Sequence, residues 1–300
     1  MWRRPWPRPL ELRTVTDVRI ATRRSPLALA QANRVAELLR ALDPALRVSL
    51  VEVSTSGDRD RTSAIADLTE IGAFVRSVQE AVMNGEADLT VHSLKDLPVT
   101  GPPELVVAAI PERASAFDVL VGSTLDDLVP GALVGTGSPR RVSQLLELRP
   151  DLRTTELRGN VETRLARVAN GDVDAAVLAE AGLSRLGKAG VISERFDTTR
   201  MVPAPGQGAL AVEARVGSRH AELAAAIDDT ALRVLVTAER LLLEETAAGC
   251  RSALGAYAEW NGPQVSLSAF VGDEGGRRRT VVLGPTPAAV VGGARRDLGL

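Results

Sequence analysis

The sequence predicts an α/β fold built as two hinged lobes, with a small α+β domain after them. Three observations carry this. Short β-branched runs alternate with amphipathic helical stretches, first from residue 18 to about 110 and again, with different residues, from about 112 to 205; this is the pattern of strands paired in parallel beneath right-handed helical crossovers. A chain of 300 residues exceeds what a single hydrophobic core usually organises. Beyond residue 230 the pattern changes to one long helix and three alternating strands. The expected domains are 1–111 with 209–229, 112–208, and 230–300. The chain crosses between the lobes twice, near 108–113 and 200–211, and two crossings suit a hinge.

"VRIATR" (18–23) is the first strand. In the helix that follows, Ser25 is a capping residue, Pro26 suits the first turn, and Leu27, Ala30, Val35, Leu38 and Leu39 keep helical spacing. "RVSLVEVST" (47–55) is a strand, "AFVRSVQEAVMNGE" (73–86) a helix ending near Asn84 and Gly85, and "ADLTVHS" (87–93) the next strand. The polar stretch 56–72 fits neither period and reads as a mobile loop, a lid. In the second lobe "ALVG" (132–135) is a strand leading through a glycine turn into a helix, and residues 152–187 give strand, turn, helix, strand and helix. After residue 217 come "SRHAELAAAIDD" and "TALRVLVTAERLLLEETAAG", the latter with an apolar stripe through Ala231, Leu232, Leu235, Ala238 and Leu241 or Leu242. "ALGAYAEW", "PQVSLSAFVGD" and "RRRTVVLG" are three strands of an antiparallel sheet.

Apolar residues make up 45% of the chain and aromatic residues 3%, so the core must be built mainly from Ala, Val, Leu and Ile. A net charge of -2 and the lack of a base-stacking aromatic set speak against a nucleic-acid partner, and none is expected. No run of about 18 apolar residues is free of charge, so no membrane span is expected. The opening residues lack the apolar core of a secretory signal, and a cytoplasmic monomer is the expectation. Cys250 is the single cysteine, which rules out an internal disulfide and a cysteine-based metal knuckle; no metal is expected. Of 36 basic residues only Lys95 and Lys188 are lysines. Codon usage explains that count as readily as function does, so placement of the arginines informs more than their number.

Open parallel sheets bind ligands at the carboxyl ends of their strands. Arg23, Arg24 and Ser25 stand there after the first strand; Ser93, Lys95 and Asp96 after "ADLTVH"; Ser138, Arg140 and Arg141 after "ALVGTG"; and Arg158 and Asn160 after "TTEL", with Arg164 one turn into the helix. Cations and helix N-termini aimed at one region make a site for a small polyanion. Taken singly, each of these arginines is equally a solvated helix end. Asp96 beside Lys95 is either a surface ion pair or a carboxylate that holds a developing cation and moves protons. His92, in a strand, reads as structural. "GTGSPR" lacks the third glycine of a dinucleotide fingerprint and "GQGALA" follows a proline, so nucleotide binding has no support. Cys250 follows a helix-ending glycine and precedes Arg251, a cation that favours the thiolate; a buried, inert thiol is the alternative.

In this order "IATRRSPLALAQA", "STSGD", "VHSLKDLP", "GTGSPRR", "LRGNVETRLARV", "AGLSRLG", "PAPGQGALAVE" and "AGCRSALGA" resemble the successive signatures of the hydroxymethylbilane synthase, or porphobilinogen deaminase, family, over about residues 18 to 257. The resemblance implies periplasmic-binding-protein-like lobes and a transferase of tetrapyrrole (heme) biosynthesis. It implies the head-to-tail condensation of four porphobilinogen molecules, with release of ammonia, on a covalent dipyrromethane cofactor. It further implies that Cys250 carries that cofactor through a thioether and that Asp96 is the catalytic group. Lys95, Ser93, Arg140, Arg141 and Ser138 would hold the cofactor, and Arg23, Ser25, Arg158, Arg164, Arg185 and Gln207 the acetate and propionate groups of the substrate. A noncatalytic two-lobed small-anion-binding protein is the competing reading; the placement of Cys250 and the absence of a secretion signal speak against it. The chain departs from the family pattern at "RASAFDV", where Phe117 replaces an arginine and only Asp118 remains of the acids, and at Arg76 and Ser77, where the usual acid is lost.

Overall fold

A computed structural model describes residues 16–53, 67–246, 253–273 and 275–300. Cys250 and most of the expected lid lie outside the described residues. In chain order, β1 (Asp17–Arg23), α1 (Pro26–Leu42), β2 (Arg47–Val53), α2 (Asp67–Met83), β3 (Leu89–Ser93) and β4 (Leu105–Ala109) come first, with a 3-10 turn at Leu94–Asp96 after β3. Then follow β5 (Asp118–Val121), β6 (Leu133–Gly135), α3 (Pro139–Leu148), β7 (Arg153–Thr155), α4 (Val161–Ala169), β8 (Ala175–Ala179), α5 (Glu180–Arg185) and β9 (Ile192–Arg195). β10 (Leu210–Arg215) and α6 (Arg219–Ala225) precede α7 (Thr230–Glu245), β11 (Ala253–Asn261), β12 (Gln264–Asp273), β13 (Gly276–Gly284) and α8 (Pro287–Leu298). The chain divides into two compact units: Met1–His92, Asp96–Pro111 and Leu210–Asp229 form one, and Ser93–Lys95, Glu112–Ala209 and Thr230–Leu300 the other.

The first unit holds a five-stranded sheet in the order β2-β1-β3-β10-β4. Alternation along β1 sends Val18 and Ile20 into a core with Val35 and Leu39 of α1, and Ala21 into a core with Val78, Ala81 and Val82 of α2. Helices therefore cover both faces of the strand. The Ser25 hydroxyl accepts the Ala28 N–H at 3.3 Å and Pro26 opens the helix, as expected of a cap.

The second unit carries a five-stranded sheet in the order β7-β6-β8-β5-β9 and a three-stranded antiparallel sheet in the order β11-β12-β13. Leu120 and Val134 pack with Leu145 of α3, while Val119 and Val121 pack with Leu183 and, at its margin, Leu165 of α4. The third sheet buries Leu254, Ala256, Val265 and Leu267 against Ala238 and Leu242 of α7 and Val290, Ala294 and Leu298 of α8. This is the expected α+β arrangement, with both helices on one face.

Two expectations are corrected, and one element is added. Neither large sheet is purely parallel: β1 pairs in parallel with β2 and β3, and β6 with β7 and β8, but β10 runs antiparallel to β4, and β5 to both β8 and β9. β5 and β10 are the strands that directly follow the two crossings, so no helical crossover dictates their direction. α2 begins at Asp67, not at residue 73. The tail past residue 284, for which the sequence raised no expectation, forms α8, capped by the Thr286 hydroxyl on the Ala289 N–H and ended by Gly299 in the left-handed region.

Candidate active site

The turn after β3 is anchored by its first residue. Leu94 is buried; its N–H donates to the Ala209 carbonyl at 2.9 Å, and its own carbonyl accepts from Arg240 at 3.2 Å. Lys95 is thereby directed so that Nζ donates to Gln207 Oε1 at 3.2 Å. Asp96, the next residue, is exposed. A buried leucine clasped by two backbone hydrogen bonds is how an apolar strand can end in a fixed pair of opposite charges. His92 lies in the core of the first unit, Nε2 2.9 Å from Glu213 Oε2, an oxygen that accepts from the Gln79 amide at 2.9 Å.

Gln207 leads to Asp118, a carboxylate with 0% exposure. Its amide donates to Asp118 Oδ1 at 2.9 Å and to the Ala116 carbonyl at 2.7 Å. Arg140 donates to Asp118 Oδ2 at 2.7 Å and to the Val202 carbonyl at 2.6 Å; Arg141 donates through Nε to Asp118 Oδ1 at 2.9 Å and to the Val177 carbonyl at 2.9 Å. Burial by itself would push the Asp118 carboxyl up, but the charges of Arg140 and Arg141, with hydrogen bonds from Arg140 and Gln207, hold it far below the usual carboxylate range. Burial, and then the like charge of Arg141, draw Arg140 down against the opposing pull of Asp118. The guanidinium nonetheless stays protonated because its ordinary value is so high, and the pair is ionic. Ser138 caps α3, its hydroxyl facing the Arg141 N–H at 3.5 Å.

The segment Pro203–Gly208 is held by partners far away in sequence. The Gly206 N–H donates to Glu239 Oε2 at 2.7 Å, the Gln207 carbonyl accepts from Arg113 at 3.0 Å, and the Gly208 carbonyl accepts from Arg185 at 2.7 Å. Arg185 is substantially buried, which draws its pKa down against the opposing charge of Glu112. Glu239, with 0% exposure, also takes Arg113 at 2.7 Å and the Ala258 N–H at 2.8 Å. Gly208 has φ +85°, and a Cβ there would stand 2.6 Å from the Ala114 carbonyl oxygen and 2.7 Å from that of Ser115. Gly208→Ala is accordingly expected to cost about 3 kcal/mol or more, read as a lower urea midpoint at unchanged slope.

Of the sequence-predicted residues, the structure joins Lys95, Arg140, Arg141 and Gln207 through Asp118, with Ser138 capping the helix that carries the two arginines and Arg185, at the end of α5, bonded to the Gly208 carbonyl. Ser93 ends β3 next to them in sequence. Arg158 lies on the exposed turn before α4, paired with Glu156 at 3.0 Å, and Arg164, half-buried within α4, donates to the Gly159 carbonyl at 2.9 Å. Arg23 and Ser25 lie at the end of β1 in the first unit. Sequence reasoning missed three residues: Asp118, Arg113 and Glu239. A signal existed for Glu239, which falls on the buried face of α7 with Leu232, Val236 and Leu242. A carboxylate on an apolar stripe demands a partner. Phe117, the departure from the family pattern, packs its ring 4.0 Å from the Arg195 guanidinium and 5.6 Å from the Tyr257 ring.

The family profile described as porphobilinogen deaminase, dipyromethane cofactor binding domain, matches residues 18–223. Among curated relatives, the porphobilinogen deaminase of Acidothermus cellulolyticus is 44% identical over 286 residues, covering 92% of this chain and 86% of that protein. Those of Thermobifida fusca and Mycobacterium avium are 47% and 48% identical, over 82% and 81% of this chain and 78% and 77% of theirs. Among solved structures, the methionine binding protein MetQ aligns with 78% of this chain and 95% of that one, at 12% identity and a TM-score of 0.44.

Proposed function

The chain belongs to the porphobilinogen deaminase family, and from that premise we propose how its own residues carry out hydroxymethylbilane synthesis. The reaction joins four porphobilinogen molecules head to tail, releasing ammonia at each joining, and yields the linear tetrapyrrole of heme biosynthesis. The family's dipyrromethane, when bound, supplies a fixed pyrrole to which each new ring is attached. The residues present fit such a group. In one network Arg140 and Arg141 flank the single carboxylate of Asp118 and Lys95 joins it through Gln207, a set of cations of the kind that meets the acetate and propionate groups of a pyrrole chain.

We assign the covalent tether to Cys250. Lys95, Ser93, Ser138, Arg140 and Arg141 hold the tethered primer, and Arg23, Ser25, Arg158, Arg164, Arg185 and Gln207 receive the carboxylates of substrate and growing product. Each charge-assisted hydrogen bond contributes about 1.5–3 kcal/mol, so a handful retain a polyanion and still release it. Asp96 holds the positive charge that develops on an incoming porphobilinogen as ammonia departs, and its carboxylate takes up and returns protons. The protein acts as a cytoplasmic monomer on a small-molecule substrate; among the described residues no helix is long and apolar enough to cross a membrane.

The observation that carries this reading is the continuous network from Lys95, the neighbour of Asp96, to the paired arginines of α3. Its test is the intact mass of freshly purified protein. A mass above the polypeptide by two pyrrole units is expected, and Cys250→Ala is expected to lose it entirely. A wild-type chain at bare polypeptide mass would overturn the reading; a Cys250→Ala chain that still carries the pyrroles would move the tether elsewhere.

A further inference from the structure

Asp118 touches neither reacting group in the scheme above, yet three cations assigned to the primer lead to it: Arg140 and Arg141 directly, and Lys95 through Gln207. Both of its oxygens are engaged, Oδ2 by Arg140 and Oδ1 by Arg141 and Gln207. A fully buried carboxylate is tolerated only when paired and hydrogen-bonded in this way. The two guanidiniums are pinned from behind as well, by the Val202 and Val177 carbonyls. Adjacent like charges repel, and without the carboxylate between them they would splay apart. One carboxylate facing two guanidiniums also leaves one positive charge unmatched, which suits one carboxylate of a ligand.

We infer that Asp118 is a positioning residue for the primer: it sets Arg140 and Arg141, and through Gln207 Lys95, in the arrangement that the primer's carboxylates meet. The inference rests on the reading of those three cations given above. It assigns Asp118 no contact with substrate and no proton to move.

The experiment is intact mass, far-UV circular dichroism and thermal midpoint on full-length Asp118→Asn beside wild type. Expected is an unchanged circular dichroism spectrum with the share of chains carrying the pyrrole mass lowered about tenfold or more, since misplaced anchoring groups lose function on that scale. Full pyrrole addition in Asp118→Asn, whatever its thermal midpoint, overturns the inference and leaves Asp118 a stability residue. A wild-type chain lacking the pyrrole mass overturns instead the reading beneath it. Should Asp118→Asn not be recovered folded, Gln207→Met, Lys95→Met and their double variant probe the same network from its other end. Gln207 acting through Lys95 predicts a double variant that loads no worse than Lys95→Met alone, whereas independent, additive losses overturn the inference.

Discussion

Asp96→Ala is expected to lower porphobilinogen turnover by about a thousandfold, the scale for removing a group that stabilises charge developing in a transition state. The fall should appear in kcat. The positive charge that Asp96 meets develops on the ring as ammonia departs, so its removal acts on the transition state more than on the bound substrate, and KM should change less than kcat. Folding should be spared. The side chain is exposed, and the turn that presents it is held by the buried Leu94 and its two backbone hydrogen bonds rather than by Asp96 itself. A stability change within about 0.5 kcal/mol is therefore expected. Product formation under saturating substrate, with a urea titration alongside, checks both halves. Near-normal turnover would remove Asp96 from its assigned role.

The largest effect on stability is expected from Glu239→Ala, at about 3–5 kcal/mol, the range for breaking a buried ion pair by removing one partner. The loss has separable sources. Arg113 would keep a largely buried guanidinium without its carboxylate, and the N–H groups of Gly206 and Ala258 would lose their acceptor. Each orphaned buried donor costs about 1–3 kcal/mol before the surroundings relax, so the total is less than the sum. The charge and the acceptors are separated by Glu239→Gln, which keeps one carbonyl oxygen for an N–H while abandoning the ion pair, and should fall between wild type and alanine. Denaturant midpoints at constant slope measure the series. A change below about 1 kcal/mol in Glu239→Ala would show that Arg113 and the two amides find other partners.

Much of the molecule was legible because its signals are local. Ser25 followed by Pro26, Ser138 followed by Pro139, and Asn160 each cap the helix that the pattern places after them. α8 was equally legible: Thr286, Pro287 and Gly299 carry start and stop signals of the same kind, unread because the motifs end before them. β5 and β10 were not legible in direction. Strand pairing across a lobe crossing leaves no trace in periodicity, which reports only which face a residue takes.

The candidate site divides along the same line. That cations gather at strand ends, and that Asp96 stands beside Lys95 in a strand-terminating turn, follows from residue order and the rule that loops at carboxyl ends bind ligands. The ordered motifs also sufficed to point to the family. Tertiary structure alone decided that Arg140 and Arg141 share a buried carboxylate, that Gln207 joins that carboxylate to Lys95, and that Glu239 fastens Arg113. These partners stand 22, 89 and 126 residues apart for Arg140 with Asp118, Gln207 with Asp118 and Arg113 with Glu239. Helix and strand signals act over a few residues, whereas the pairing of a buried charge is set by whichever opposite charge the completed core brings within hydrogen-bond reach.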